Sequence, residues 1–235
     1  MILRIVCLAA LFFISAFAFG EELTPEGVLS AFESQYASIT DYQCRLDEWC
    51  SNGKAYEKRL MYYFFKKPRM IRTDIIEGNK ALDAGSAAVY TGGKEVSGRK
   101  GGLLSGIVVK VDKKDPLVTT VRGMAMDEGD LQAILEMLRI HARDTNSIIT
   151  NLSNGDVELI GYSDDPSKSG GITKEVLIMD GKTFLPKQAD EYEGDKLVIH
   201  SAWSGYILNA GLPDEVFNVK FDIKNLKKMG IQTVK

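Results

Sequence analysis

The chain has 235 residues, of which 45% are hydrophobic and 26% charged, with a net charge of −3 at pH 7. This length is enough to bury a substantial core as one domain. The mild acidic excess is atypical of a general nucleic-acid binder, which needs a basic surface. The composition therefore excludes nucleic acid as the expected partner and leaves lipids and proteins open.

Residues 1–20 have the layout of a secretory signal peptide, with Arg4 before an apolar run and small residues at the end. A membrane anchor is the alternative, but the apolar run is short for a span and no positively charged stop follows it. We expect cleavage after Gly20 and a single exported domain over residues 21–235.

The exported part begins with a predicted helix, because Thr24 is a good N-cap and Pro25 suits the first helical position. Its apolar stripe consists of Val28, Phe32, Tyr36 and Ile39. From Asp41 the apolar period changes to two, as in a strand, and Asn52-Gly53 predicts a hairpin turn. Residues 59–66 are the predicted return strand.

Further strands are predicted in chain order after Pro68, on both sides of Gly92-Gly93, and over residues 105–112 and 116–121. A second helix is predicted over residues 126–144, with Asp127 as its cap and Glu128 and Asp130 at its positive end. Its apolar stripe consists of Leu131, Ile134, Leu135 and Leu138. We expect His141, late in this helix, to be a surface residue.

After this helix the pattern is β to the end, with Gly turns between short runs and a closing strand over residues 214–223. About ten or eleven strands joined by tight turns form an antiparallel meander, which must curl at this size. The predicted fold class is therefore mostly β (α+β). It is a strongly curved, unclosed antiparallel β-barrel with helices covering the concave face.

Two cysteines remain in the exported part, Cys44 and Cys50. Export permits a disulfide, but six residues on one extended strand span about 20 Å, beyond disulfide reach. A bridge needs a bend between them, and the alternative is two buried free thiols.

The sequence carries no nucleophile elbow, no phosphate-binding glycine loop and no zinc-ligand spacing. We therefore predict that the protein is not an enzyme and needs neither cofactor nor metal.

The stretch RLMYYFFKKPRMIR, residues 59–72, is apolar on both faces and ends in a basic cluster. Both faces can be covered by protein, which is common for such strands. The alternative is that one face lines a cavity for an apolar ligand under a helical lid.

Three segments carry a family resemblance. In FFKKPRMIRTDI a strand ends in basic residues and Pro68, Arg72 follows four residues later, and AVYTGGKEV continues the series. VLIMDGKTFLPKQADEYEGDKLV is a hairpin with an Asp-Gly turn, and NAGLPDEVFNV places Asn209 and Phe217 in a closing strand. The ordered series, over about residues 24–222, resembles the LolA-like superfamily of periplasmic lipoprotein carriers.

The resemblance implies an unclosed barrel with a helical lid that holds acyl chains in its interior. In the best-known carrier the basic residue before the proline is an Arg that latches the lid, whereas Lys67 stands here and lacks the planar fork of Arg. Arg69 or Arg72 could substitute. The segment PLVTTVRGMAMDEGDL departs from the carrier pattern and indicates an uncharacterised branch.

We therefore expect a monomeric periplasmic carrier that binds the acyl chains of a lipid or lipoprotein and meets membrane-bound loading and receiving proteins. The residues expected to line its apolar cavity are Met61, Tyr63, Phe65, Ile71, Leu131, Ile134, Leu135 and Leu138. The alternative is a periplasmic sensor or scaffold of the same fold that binds another protein without carrying lipid.

Overall fold

The structure is a computed structural model that describes residues 23–104 and 106–234. The signal peptide expected over residues 1–20 lies outside this part of the chain. Among the described residues, no helix has the length and apolar character needed to cross a membrane.

Eleven strands form one antiparallel sheet in the described part of the chain. The first six are β1 (Asp41–Ser51), β2 (Tyr56–Lys66), β3 (Met70–Gly78), β4 (Ala87–Tyr90), β5 (Glu95–Arg99) and β6 (Val108–Asp112). The other five are β7 (Ile148–Asn151), β8 (Val157–Tyr162), β9 (Lys174–Met179), β10 (Pro186–Glu193) and β11 (Lys196–Leu208). The α-helices are α1 (Pro25–Ser38), α2 (Leu131–His141) and α3 (Asn225–Lys228).

The strand order across the sheet is β6-β5-β4-β3-β2-β1-β11-β10-β9-β8-β7. Two meanders, β1–β6 and β7–β11, therefore meet at a central seam where β1 pairs with β11, for example Tyr42 opposite Leu208. Strands β6 and β7 are the two free edges. The predicted fold class is confirmed, a mostly β, strongly curved and unclosed antiparallel barrel with helices over its concave face.

Local sequence signals explain the first elements. The Thr24 side chain accepts a hydrogen bond from Gly27 N at 3.1 Å and caps α1, as predicted. In the hairpin between β1 and β2, Asn52 Oδ1 accepts from the backbone N of Lys54 and of Ala55, and Gly53 takes a φ of 83°. A positive φ is what glycine permits, so the predicted hairpin is confirmed.

The strand predicted over residues 116–121 is wrong. Asp115 O accepts hydrogen bonds from Val118 N and Thr119 N, which closes a tight turn directly after β6. Pro116 fits such a turn because its φ is fixed and it has no N–H to donate to a ladder. The segment runs across the concave side of the sheet instead of extending its edge.

The closing strand predicted over residues 214–223 is also wrong. Residues Asp214–Phe217 form a 3₁₀ helix, and turns follow it. Val216, Phe217 and Val219 are all buried against the sheet, in one cluster with Phe64. Their apolar side chains therefore cover a sheet face, a role that periodicity alone does not distinguish from strand pairing.

The second helix starts later than predicted, and Asp127 does not cap it. Helix α2 begins at Leu131, and Asp130 Oδ1 accepts from Ala133 N at 2.8 Å as its N-cap. Asp127 lies in the preceding 3₁₀ turn, Met126–Glu128, where its Oδ2 is 2.6 Å from Lys113 Nζ.

The expectation that His141 is a surface residue is wrong as well. Its side chain is 2% exposed, and its Nε2 lies 2.7 Å from Glu175 Oε2 on β9. A Cβ on Gly161 would come within 2.2 Å of the His141 ring, so the glycine makes room for it. The last turn of α2 therefore packs tightly onto β8 and β9.

Protein covers both faces of the sheet at β2. Met61, Tyr63 and Phe65 face the concave side, in one core cluster with residues of α1 and α2. Tyr62 and Phe64 face the outer side, in a second cluster with residues of the C-terminal segment, which we define as residues 210–234. The absence of alternation in the sequence reflects these two apolar layers.

Candidate functional site

A cavity of about 170 Å³ lies between the concave face and the connection from β6 to α2. We call residues 117–129 of this connection the lid loop. Residues that line the cavity include Leu46, Met61, Tyr63, Ile75, Leu117 and Met126. The lining is mostly apolar, as is typical of sites for hydrophobic ligands.

The structure divides the residues that were predicted to line a cavity. Met61 and Tyr63 line it. Phe65 and Ile71 lie instead in the packed core beside it, with the four predicted residues of α2. Those four are Leu131, Ile134, Leu135 and Leu138. In this conformation α2 packs directly onto the sheet, and the lid loop forms the roof of the cavity.

Tyr63 lines the cavity and carries a buried polar atom behind its wall. Its hydroxyl is buried and has no hydrogen-bond partner among the described residues. Burial raises its pKa well above the usual value, so the hydroxyl stays neutral and keeps its proton to donate. A buried hydroxyl without a partner is uncommon, because its desolvation costs about 1–3 kcal/mol.

The other end of the concave face is charged. Glu48 and Arg59 line the cavity there, and Arg59 Nη2 lies 2.6 Å from Glu57 Oε2. Arg59 Nε is buried and has no partner among the described residues. The cavity therefore runs from an apolar side to a polar side, an arrangement that suits a ligand with both characters.

Two further carboxylates, Glu191 and Glu175, are paired across β10 and β9. Burial, with the nearby charge of Glu175 adding to it, raises the pKa of Glu191 to about 7. Glu191 therefore carries a proton over much of the range below neutral pH.

The basic cluster after β2 reaches three different elements. Lys67 Nζ donates to Tyr36 O at 2.7 Å and to Ala37 O at 3.3 Å, at the end of α1, and lies 4.5 Å from the centre of the Tyr36 ring. A lysine suits this place because a helix C-terminus presents free carbonyls and a partial negative charge. Lys67 therefore holds α1 to the sheet.

Arg69 holds the start of α2. Its Nε lies 2.9 Å from Oδ2 of Asp130, the N-cap, and its Nη2 donates to Asp127 O. Asp130 is fully buried at the side chain, while Arg69 is 30% exposed. The pair connects the turn before β3 to the junction between the lid loop and α2.

Arg72 points to the opposite face and contacts neither helix. It is fully buried and pairs with Asp74, which neighbours it on β3. Its Nη1 donates to Val216 O at 2.8 Å and Asn218 O at 3.0 Å, and its Nη2 to Phe221 O at 2.9 Å. Arg72 therefore anchors the C-terminal segment, whereas Lys67 and Arg69 anchor α1 and α2.

Both cysteines lie on β1, and both are buried free thiols. Burial raises the pKa of Cys44 far above its usual value and that of Cys50 to about 11. Cys44 and Cys50 are therefore not joined by a disulfide, which agrees with the free-thiol alternative. No group of His, Cys, Asp or Glu side chains in the described residues is arranged to hold a metal ion.

Sequence reasoning missed the lid loop as part of the site. Its apolar residues Leu117, Val118 and Met124 to Met126 line the cavity, although part of the loop had been predicted as a strand. A usable signal was present: an apolar-rich stretch interrupted by Pro116 and Gly123 does not suit a regular strand.

No family model matches the chain, and no curated protein matches it. The solved structures similar to it include an uncharacterized conserved protein from Thermus thermophilus, with a TM-score of 0.50 and 13% identity over 84% of this chain and 94% of that one. A LolA superfamily protein from Nitrosomonas europaea has a TM-score of 0.39 and 13% identity over 84% of this chain and 98% of that one. At this identity the likeness to the Thermus thermophilus protein shows a shared fold and nothing about function.

Proposed function

We propose that this protein is a periplasmic carrier that binds the acyl chains of a lipid or lipoprotein between its concave sheet face and a lid. The lid consists of α1, α2 and the lid loop. Residues 21–235 act as one exported domain, and residues 1–20 direct its export. The proposal includes no catalytic step and no cofactor.

The observation that carries this proposal is the apolar cavity with the buried, unpaired hydroxyl of Tyr63 in its wall. A methylene chain fits an apolar lining, and an ester or amide carbonyl at its head can accept a hydrogen bond from the Tyr63 hydroxyl once the lid moves and exposes it. Such a ligand satisfies both the apolar surface and the Tyr63 hydroxyl, which has no partner among the described residues.

The volume of the cavity limits which ligands can enter it in this conformation. About 170 Å³ is close to the roughly 150 Å³ of an engineered cavity that holds one benzene molecule. A long acyl chain therefore enters only if the lid moves away from the sheet. The ligand-binding surface then extends from Met61 and Tyr63 to Phe65, Ile71 and the apolar residues of α2.

Burial of the acyl chain offsets part of the cost of opening. Burial of about ten methylene groups at about 0.8 kcal/mol each contributes about 8 kcal/mol. Releasing the Arg69–Asp130 pair costs about 1–3 kcal/mol, as for a hydrogen bond to a charged group. Unpacking the apolar side chains of α1 and α2 from the sheet adds to this cost, so binding is weaker than the methylene sum alone indicates.

The test is uptake of a synthetic diacylated peptide, followed by native mass spectrometry. The substitution Ala88→Phe fills the cavity from β4, and Ala55→Phe adds the same side chain at an exposed turn as a control. We expect the wild type and Ala55→Phe to bind the peptide, and Ala88→Phe to bind it at least tenfold more weakly.

Equal binding by the wild type and Ala88→Phe would contradict the cavity as the binding site. No uptake by the wild type, together with a protein partner that remains bound, would favour the sensor or scaffold alternative.

A further inference from the structure

Five exposed aliphatic side chains lie in and around β4, β5 and β6, and two of them line the cavity. They are Leu82, Leu103, Ile107, Val109 and Leu117, and the most exposed are Leu103, at 103%, and Leu117, at 65%. Large aliphatic side chains in full contact with water are unfavourable when they occur together. A group of this kind therefore indicates a surface that is covered in use.

Contacts group four of these side chains into two pairs, and Ile107 directly precedes β6, which carries Val109. Gly101 N donates to Leu82 O at 3.3 Å, and a Cβ on Gly102 would lie 3.4 Å from Leu82 Cδ2, which places Leu82 beside the loop that carries Leu103. Val109 and Leu117 both line the cavity while remaining exposed. We call the five side chains the apolar rim.

The segment that carries most of the apolar rim has a positive net charge. Residues 94–118 contain six basic and three acidic residues, a net charge of +3, whereas the whole chain has −3. Lys113 and Lys114 pair with Asp127 and Glu128. Lys100 is exposed, lines the cavity and has no ion-pair partner among the described residues.

We propose that the apolar rim docks onto the surface of a bilayer that contains anionic lipids, and that Lys100 contacts their head groups. Exposed aliphatic residues with flanking lysines are the combination that binds a membrane interface, because the apolar groups enter the acyl boundary while the cations stay with the phosphates. The occupant is the lipid surface itself, not a protein chain.

The free edge at β6 does not offer a good site for a partner strand. It has only five residues, and Lys110 projects from it. A short edge strand with a lysine disfavours pairing with another chain. The strand edge beside the apolar rim is therefore too short to pair well with a strand of a protein partner. A lipid surface does not require strand pairing.

Docking in this orientation gives the proposed function a route for its cargo. Val109 and Leu117 belong both to the apolar rim and to the cavity wall, so the cavity opens where the protein meets the lipid. An acyl chain then passes from bilayer to cavity without crossing water. This inference rests on the proposed function, but the docking itself is measured separately.

The experiment is co-sedimentation with vesicles of phosphatidylcholine, with and without phosphatidylglycerol. We expect the wild type to partition to the mixed vesicles and to bind phosphatidylcholine alone at least several-fold more weakly. The double substitution Leu103→Ser with Leu117→Ser should reduce partition about tenfold, and Lys100→Glu should reduce it several-fold on the mixed vesicles only.

The matched control is Ile140→Ser with Ile148→Ser, which removes two exposed aliphatic side chains, 67% and 48% exposed, at the α2 and β7 side of the molecule. We expect it to partition like the wild type. No partition by the wild type, or equal losses in the two double variants, would overturn the proposal.

The cavity-filling variant Ala88→Phe separates the two hypotheses. If it still partitions to vesicles but takes up no diacylated peptide, both stand. If it takes up the peptide as well as the wild type does, the cavity is not the site and docking stands alone. If the wild type takes up peptide and never partitions, docking is refuted and the proposed function stands.

Discussion

The two faces of β2 are both buried, but they differ in whether the nearby polar groups have hydrogen-bond partners. On the outer face, the Arg72 guanidinium has a carboxylate and three carbonyl partners. On the concave face, the Tyr63 hydroxyl and Arg59 Nε have no partner among the described residues. The polar group that β3 places in the outer layer next to β2 is therefore fully paired, while the concave face of β2 keeps unpaired groups beside the cavity.

The same contrast separates the covering elements. The C-terminal segment is anchored on the outer face by buried Arg72, by Lys66 Nζ, 2.7 Å from Leu212 O, and by Arg99 Nε, 3.1 Å from Val219 O. The helices are attached by Lys67 and by Arg69, which is 30% exposed. A partly hydrated attachment costs less to break than a buried one, so we expect the helical side to open before the C-terminal segment does.

The largest expected effect comes from the outer face. Arg72→Leu leaves Asp74 buried, with only the guanidinium of Arg99 at 3.8 Å, and should lower the free energy of unfolding by about 3–5 kcal/mol. Urea denaturation measures this loss.

The double substitution Arg72→Leu with Asp74→Leu is the control, because it removes both charges and should cost less than the single change. A loss below about 1 kcal/mol for Arg72→Leu would show that the C-terminal segment does not depend on this anchor.

The next effect concerns the carboxylates of the concave face. The folded-state pKa of Glu191 is about 7, above its usual 4.5, so the folded protein binds this proton more tightly than the unfolded chain does. Its contribution to stability is full below pH 4.5 and is lost as the pH rises through 7. Between pH 5 and pH 8 we expect the titration of Glu191 to lower the free energy of unfolding of the wild type by an amount on the order of 2 kcal/mol.

Glu191→Gln should flatten this dependence, and urea denaturation at several pH values measures it. Glu77→Gln changes an exposed carboxylate on β3 and is the control. We expect it to show the same pH dependence of the free energy of unfolding as the wild type. If Glu191→Gln retained the full pH dependence, another group would be responsible.

The smallest expected effect tests whether α2 can open away from the sheet. Arg69→Met removes the contact to Asp130 and should lower the free energy of local opening at α2 by about 1–2 kcal/mol. Amide hydrogen exchange along α2 measures this change residue by residue.

Lys67→Met is the matched variant, because it frees the end of α1 only and should leave exchange in α2 unchanged. Unchanged protection of α2 in Arg69→Met would show that this residue does not hold the lid.

The sequence predicts most of the sheet because tight turns leave local signals, such as Asn52-Gly53, and because period-two runs are short and regular. It fails at residues 116–121 and 214–223, which are apolar enough for strands but lie across a sheet face. Burial explains apolarity in both arrangements, so periodicity cannot separate them.

The candidate site could be predicted from the sequence only where local parity decides the position of a side chain. Met61 and Tyr63 could be placed on one face of β2 by parity, and the structure puts both in the cavity wall. The destinations of Lys67, Arg69 and Arg72 could not be read from their spacing, because each depends on a partner at least thirty positions away. Long-range partners of this kind leave no local signal in one sequence.

The central seam between β1 and β11 has a consequence for the order of assembly. Each meander forms from neighbouring strands, but the seam joins strands such as those of Tyr42 and Leu208, far apart in the chain, and such pairing is slow. A chain that emerges from its N-terminus can complete β1–β6 while Phe64 and Val89 still face water, because residues 210–231 have yet to arrive. A first meander formed in this order would expose an apolar face until the C-terminal segment covers it, and exposed faces of this kind favour aggregation or chaperone binding.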